Sequence, residues 1–415
     1  MGSARLFELG FVARQADVTW KMFAIPKLRG QFEDKVMRSL RSLLQIGFIF
    51  FCALNGVVDF YMDVGHGRLR WSRFLAIYRI VHNFVVFTLT TRFLLQFLEV
   101  FSDSSESIVL RVNFFTYFTL VFLYLTSCMG CSYRWRNRIF VVMQKLQKLR
   151  ELSRIMGYRW SKENQRYLNR LLLIMTFLLI LRLGIHLALF ALSTRMGFNH
   201  SCNCFLPEFM IFAMNYLVFA IVSEICECWW RLESGLKMVL LVTRPRSVTH
   251  QLRQVQRLQT MFQCLIDLTS EVGSIFEFVL LSYLLRNLWS GIVAGYMVVR
   301  VILGHGHADR EFMYILLALV TCIQPLMVSP LMNCLANTTE FLTETAMEVL
   351  RTPHKQSTEV ERSVEWLSLQ FARQHTYIAI FGTFRMNRSL VFQSTSVILV
   401  HVLYMVQSDY IAITK

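Results

Sequence analysis

Apolar residues in this chain come in runs rather than in alternation. Runs of roughly 18 or more mostly apolar positions, the length a helix needs to cross a bilayer, cover 74–98, 109–131, 170–192, 206–230, 275–299, 312–334 and 389–407. An all-α, polytopic membrane protein with seven transmembrane helices is therefore predicted. An eighth run, Leu43 to Met62, carries Asn55 and Asp59 in its second half. It is expected to insert only partly or to lie in the interface, not to span.

Two connecting segments also read as helices. In "RWRNRIFVVMQKLQKLRELSRI" the apolar positions Ile139, Val142, Leu146 and Leu149 recur at helical spacing among bases, as in a helix running out of the second span. In the second segment Thr358 and Glu361 form a capping box. There Val360, Val364, Leu367 and Phe371 follow at intervals of four, three and four. That stripe asks for an apolar partner, either another chain's helix or a surface of its own.

Composition supports helices over a barrel. The 415 residues are 55% hydrophobic and 17% charged, with a mean hydropathy of +0.44, where a soluble domain carries about 25% charge. Thirty-five Phe and 20 Met against only 6 Pro favour long apolar helices over short alternating strands. The net charge of +16 does not form a basic domain, so no nucleic-acid partner is expected; the bases flank the apolar runs and act as topology signals. With the N-terminus cytosolic, the inner segments hold 33 of the 43 Lys and Arg and the outer segments 4. The C-terminus is then extracellular. The expected divisions are a cytosolic N-terminal segment (1–73) with its non-spanning hydrophobic stretch, a six-helix bundle with an outer ligand pocket (74–334), a cytosolic anchor-helix region (335–388), and a seventh helix with a short external tail (389–415). No cleavable signal precedes the first span, which must do the targeting.

The chain lacks HExxH, GxSxG, GxxxxGK[ST] and a strand-borne GxGxxG, so an enzyme is disfavoured and no cofactor is expected. Cys128 with Cys131 and Cys226 with Cys228 lie at inner ends of spans, without the further ligands of a zinc site. Cys202 and Cys204 lie in an outer loop and could oxidise, though not easily with each other at that separation; His305, His307 and Asp309 in another outer loop could bind a metal but read more readily as a solvated loop, and no metal is expected. Asn199-His200-Ser201 is a glycosylation sequon on the outer side. Within spans, Arg79 and His82 share one face, Arg182 and His186 another, and Arg286 lies beside Asn287. Each is a functional candidate or an interhelical pair. Pro325 and Pro330 should kink the sixth span. Tyr283, Trp289 and Tyr296 could line an outer cavity for a small organic ligand or serve as packing. In the last span Ser389, Gln393, Ser396, Val400 and Gln407 fall within roughly 40° of one line at about 100° per residue, flanked by Leu403 and Tyr404. Such a stripe suits either a wet surface shared around an axis or a hydrogen-bonded helix interface. His401 points about 120° away from it and is expected to face protein.

The approach to that span, "GTFRMNRSL", resembles the C-terminal motif of the insect gustatory receptors, with Gly382, Phe384, Asn387, Arg388, Leu390 and then Gln407 in matching places. Val400 and His401 stand where the family has Thr-Tyr, and Ser408 where it has Phe. The resemblance implies a ligand-gated, nonselective cation channel, assembled as a homotetramer or as a heteromer with related co-receptors. Seventh helices (Ser389, Gln393, Ser396, Val400, Leu403, Gln407) would line the pore in the plasma membrane of chemosensory dendrites. It also implies a ligand pocket in each subunit, with candidates Arg182, His186, Tyr283, Arg286, Trp289 and Tyr296, and a shared cytosolic anchor carrying Val360, Val364, Leu367 and Phe371. The aromatic, sparsely charged candidates suit bitter or hydrophobic tastants better than sugars. The competing readings are a metabotropic seven-helix receptor, which the inverted sidedness opposes, and a transporter or enzyme, which the lack of internal repeats and catalytic clusters opposes.

Overall fold

The computed structural model describes residues 46–414 apart from 64–67, 103–107, 158–160, 193–197, 242–247, 304–307, 352–357 and 375. Phe48–Lys415 forms one compact unit. The described residues open within a helix, α1 (residues 46–54). It ends at Gly56, whose φ of 64° is the left-handed conformation that closes a helix. The Val57 N–H donates to the Cys52 carbonyl at 2.9 Å and the Gly56 N–H to the Ala53 carbonyl at 3.1 Å, satisfying the orphan carbonyls. The chain then turns back at Gly56.

The turn lies against the middle of the next helix. A Cβ at position 56 would stand 2.8 Å from Asn83 Oδ1 and 2.9 Å from His82 Nδ1. Phe48 and Phe51 meet Tyr216 and Phe212, and the Cys52 thiol donates to the Ala213 carbonyl at 3.4 Å. Non-helical backbone at this depth must be enclosed by protein; Val57 and Val58 are buried. Gly56→Ala should cost roughly 1–2 kcal/mol from the left-handed backbone alone, read as a lower thermal midpoint of the detergent-solubilised protein.

Beyond the turn the chain adds two elements that a purely helical reading omits. Strands β1 (Phe60–Asp63) and β2 (Arg68–Trp71) pair antiparallel, Phe60 opposite Trp71. Buried Asp59 pairs with Arg79 at 3.4 Å and Arg136 at 2.7 Å. Burial pushes its carboxyl up, while the two guanidiniums pull it back down. Arg79 also donates to the Ser132 carbonyl, and Arg136 lies over the Trp71 ring. The hairpin is thus fastened to the start of α2 (Arg73–Ser102) and to the junction of α3 (Ile108–Arg134) with α4 (Arg136–Ile155).

The remaining helices are α5 (Lys162–Leu192), α6 (Phe198–Leu241), α7 (Val248–Ile302), α8 (Ala308–Arg351), α9 (Thr358–Arg373) and α10 (Arg388–Thr414). Among the described residues five stretches are long and apolar enough to cross a membrane: Arg73–Gln96, Arg111–Arg134, Glu163–Ile185, Leu206–Met238 and Ser389–Ser408. The other two expected spans, 275–299 and 312–334, lie inside α7 and α8. In α7 the stretch is diluted by Ser282, Arg286, Asn287 and Ser290, all buried among neighbouring helices. α8 stays helical through Pro325 and Pro330.

α6 is the central post, with 83% of its apolar window buried. α7 packs beside it. Val255, Leu258, Phe262, Leu265, Thr269, Val272, Phe276, Val279, Tyr283, Arg286, Ser290, Val293 and Met297 are all buried, an unbroken alternation of three and four that holds one face inward. α4 buries Ile139, Val142, Leu146 and Leu149 and is tied outward by Arg150 to Glu224 and Glu227 and by Lys145 to Glu271. α9 buries Val360, Val364, Leu367 and Phe371 within its own chain; the Phe371 ring meets Phe262 at 4.6 Å. The opposite face of α9 exposes Trp366 and Leu369.

Candidate functional site

Two places gather the residues singled out in the sequence. The first lies near the end of the bundle where α5 and α6 connect. Arg286, fully buried on α7, donates from Nη2 to both oxygens of Glu208, at 2.7 and 3.0 Å. Arg182 of α5, also buried, donates to the same carboxylate. One Glu on α6 therefore joins guanidiniums from two other helices, the arrangement a low-dielectric interior demands of charges it encloses. Arg286 also lies 5.7 Å over the Tyr124 ring of α3. The Tyr124 hydroxyl donates to Asn215 Oδ1, and its ring meets Tyr283 at 5.8 Å.

Arg182, Tyr283 and Arg286 are thus brought together, whereas the other candidates are not. Trp289 Nε1 donates to the Asn113 carbonyl at 3.0 Å. Tyr296 is buried with Val293, Met297 and Ile315, where Met405 and Val406 of α10 also pack. The side chains of His186 and Asn199 lie outside the described residues. So do those of Cys202, Cys204 and Asp309, and all of His305 and His307. Sequence reasoning passed over Glu208, Tyr124 and Asn215. The signal for Glu208 was present as an acid just inside an apolar run that has bases on neighbouring runs to answer it. Among the described residues no three His, Cys, Asp or Glu side chains are grouped to hold a metal.

The second place is α10 and its approach. Strands β3 (Ala379–Ile380) and β4 (Phe384–Arg385) form a hairpin closed by Phe381 and Gly382, at φ of 51° and 65°. The Thr383 N–H donates to the Ile380 carbonyl at 3.0 Å, a tight turn within a three-residue hairpin loop, Phe381 to Thr383. Phe381 is strained there; among the described residues it alone of the non-glycines has a left-handed φ. Its N–H donates to Glu277 Oε1 of α7 and its ring meets Phe278 edge-on at 5.0 Å. Ile378, just before the hairpin, is buried, and the Thr376 hydroxyl donates to the Leu335 carbonyl of α8. Asn387 Oδ1 accepts the Leu390 N–H at 3.1 Å, capping α10. The motif positions acquire physical roles: Gly382 supplies the turn, and Asn387 starts the helix. Phe384 is exposed, Leu390 is half-buried, and the Arg388 side chain lies outside the described residues.

α10 packs mainly on α7, with smaller contacts to α8 and α3; no residue of its apolar window is buried. Ser389, Gln393, Ser396, Val400, Leu403, Tyr404 and Gln407 are all exposed. His401, expected against protein, is exposed too, with Nδ1 3.0 Å from the Val397 carbonyl. The helical wheel placed it correctly relative to the stripe, but most of the helix circumference has no neighbour in this chain. Where α10 does pack, it packs closely: a Cβ on Gly295 of α7 would stand 2.7 Å from Val402 Cγ2.

A multi-helix membrane bundle with a buried charged cluster and an uncovered terminal helix is the class that fold and site define. The family described as 7tm Chemosensory receptor matches residues 47–411. The chain is 56% identical over 388 residues, 94% of its length and 98% of the relative's, to the Drosophila melanogaster protein named "Putative gustatory receptor 85a". The insect olfactory receptor OR5 from Machilis hrabei, solved with eugenol and without it, shares the fold at a TM-score of 0.61. The match covers 90% of this chain and 99% of the solved one, with 10% and 12% identity. The chain belongs to the chemosensory receptor family, among the insect gustatory receptors.

Proposed function

We propose that this receptor is a ligand-gated, nonselective cation channel whose α10 helices line a shared pore. One observation carries the reading. A helix facing lipid would expose apolar side chains only, yet α10 leaves Ser389, Gln393, Ser396 and Gln407 uncovered along its length. The Ser396 hydroxyl is satisfied by the Phe392 carbonyl of its own helix, but the Gln393 and Gln407 amides at membrane depth need water or protein partners, and copies of α10 arranged around an axis supply both. Val400 and Leu403 are the apolar constrictions of such a pore, and Gln407 offers amides that hydrate a cation without holding it tightly.

On this reading residues 275–299 and 312–334 complete seven spans. The basic segments 1–73 and 335–388 lie in the cytosol, and the bundle of 74–334 holds the ligand site next to Arg182, Glu208, Arg286 and Tyr283. The aromatic residues around one internally neutralised carboxylate suit a small organic tastant, bitter or hydrophobic rather than sugar. The Machilis receptor bound to eugenol is a precedent for such a ligand on this fold. The working form is a tetramer, homomeric or mixed with related co-receptors, in the plasma membrane of chemosensory dendrites.

The test combines topology with current. An epitope on Lys415 should label intact cells while an N-terminal tag stays hidden until permeabilisation. Excised patches should then pass cation current under hydrophobic ligands without added nucleotide. Gln407→Ala is expected to lower unitary conductance at unchanged surface labelling. Ligand responses that vanish on patch excision, with no current in any composition of subunits, would refute the channel.

A further inference from the structure

We propose that the elbow between α3 and α4 is a binding site for the headgroup of an anionic phospholipid. The candidate span of α3 ends at Arg134, which sets Tyr133–Arg138 at headgroup depth. The helix continues through the elbow: the Trp135 N–H donates to the Cys131 carbonyl and the Ile139 N–H to the Trp135 carbonyl, both at 2.9 Å. At about 100° per residue Tyr133, Asn137, Arg134 and Arg138 fall in one arc of about 140°, and all four are exposed. The other side is fixed to the bundle. There the Cys131 thiol donates to the Ile275 carbonyl at 3.4 Å, Arg79 holds the Ser132 carbonyl, and Ile139 and Phe140 are buried.

The exposed arc is built for an anion. The Arg134 and Arg138 guanidiniums both lie over the Trp135 ring, 5.1 and 4.5 Å from its centroid. Two like charges thus share one ring one helical turn apart, an arrangement that an anion beside them would relieve. Neighbouring bases have acids: Arg136 has Asp59, Lys145 has Glu271, and Arg150 has Glu224. Among the described residues no acid lies within ion-pair distance of Arg134 or Arg138. Two planar forks with a phenol and an amide beside them form a donor set that matches a phosphate. The depth selects the source: Tyr133 and Trp135 sit where aromatic side chains meet headgroups, so the phosphate is carried by lipid. The site depends neither on the direction in which the chain crosses nor on whether the receptor conducts.

The test is native mass spectrometry of the purified full chain, titrated with a phosphoinositide and with phosphatidylcholine of the same acyl chains. The wild type should retain the phosphoinositide preferentially. Arg134→Gln with Arg138→Gln should weaken it by about 10- to 30-fold, the loss expected for two bases at a membrane surface. The paired Lys variants keep the charge but lose the fork and the stacking, and should fall between. Lys148→Gln, exposed further along α4, should leave the preference unchanged. Equal retention of both lipids by the wild type would overturn the site, as would an equal loss in the Lys148 and double-Arg variants. Complete displacement by the free inositol phosphate headgroup at equal concentration would overturn the lipid assignment.

Discussion

Replacing Glu208 by alanine is expected to destabilise the bundle by about 3–5 kcal/mol, the penalty for removing one member of a buried ionic cluster. Arg182 and Arg286 would keep their buried positions and lose the carboxylate they share. Arg182→Met alone should cost far less, since Arg286 already holds both Glu208 oxygens. Replacing all three by apolar residues of similar volume should restore most of the stability, because an apolar cluster carries no desolvation penalty. Thermal unfolding of the four detergent-solubilised proteins decides the matter. If Glu208→Ala and the triple variant melted together, the carboxylate would not be the residue joining the three helices.

Gly295→Leu should cost about 3 kcal/mol, at the upper end of overpacking effects. On an isolated helix the substitution would be favourable by about 1 kcal/mol, because glycine is a poor helix former. Here the added Cβ would already stand 2.7 Å from Val402 Cγ2, with Cγ1 and Cβ at 3.6 and 3.7 Å. A β-branched neighbour has no rotamer freedom with which to move aside, so α7 and α10 must separate. The measurement pairs thermal stability with patch-clamp current. Current should fall by more than the loss of folded protein accounts for, whereas Gly184→Leu, at an exposed helical position with open space around it, should leave current unchanged and not lower stability.

Local pattern carried much of the helical fold. The stripes at 139–149 and 360–371 were legible because a helix with one apolar face signals through spacing alone, whatever it packs against. The inward face of α7 carries the same signal over more than forty residues, but hydropathy divided it at the membrane boundary and hid that one helix continues through it. The hairpins were missed because their information is in turn chemistry and not in hydrophobicity. "VGHGR" between two short alternating runs, and Phe381-Gly382 before a capping Asn387, are turn signals of that kind. The charged cluster was half legible. Arginines within apolar runs stand out by rarity, but their acid lies on a different run, and only the fold brings Glu208 to them. The exposure of His401 could not be read from the chain, because it depends on how little of the subunit covers α10.

α7 meets the last helix and its approach at two stations. Glu277 and Phe278 grip the strained turn of the β3–β4 hairpin, and Gly295 abuts Val402 eighteen residues on. At 1.5 Å per residue these stations are about 27 Å apart on one stiff rod. Between them sits Arg286, the residue through which α7 is joined to the charged cluster. A tilt of α7 about Arg286 would therefore reach the approach to α10 and the middle of α10 together, with opposite sense on either side of the fulcrum. Mechanically, α7 held at these points is a lever with its fulcrum in the charged cluster and both of its arms against the terminal helix and its approach.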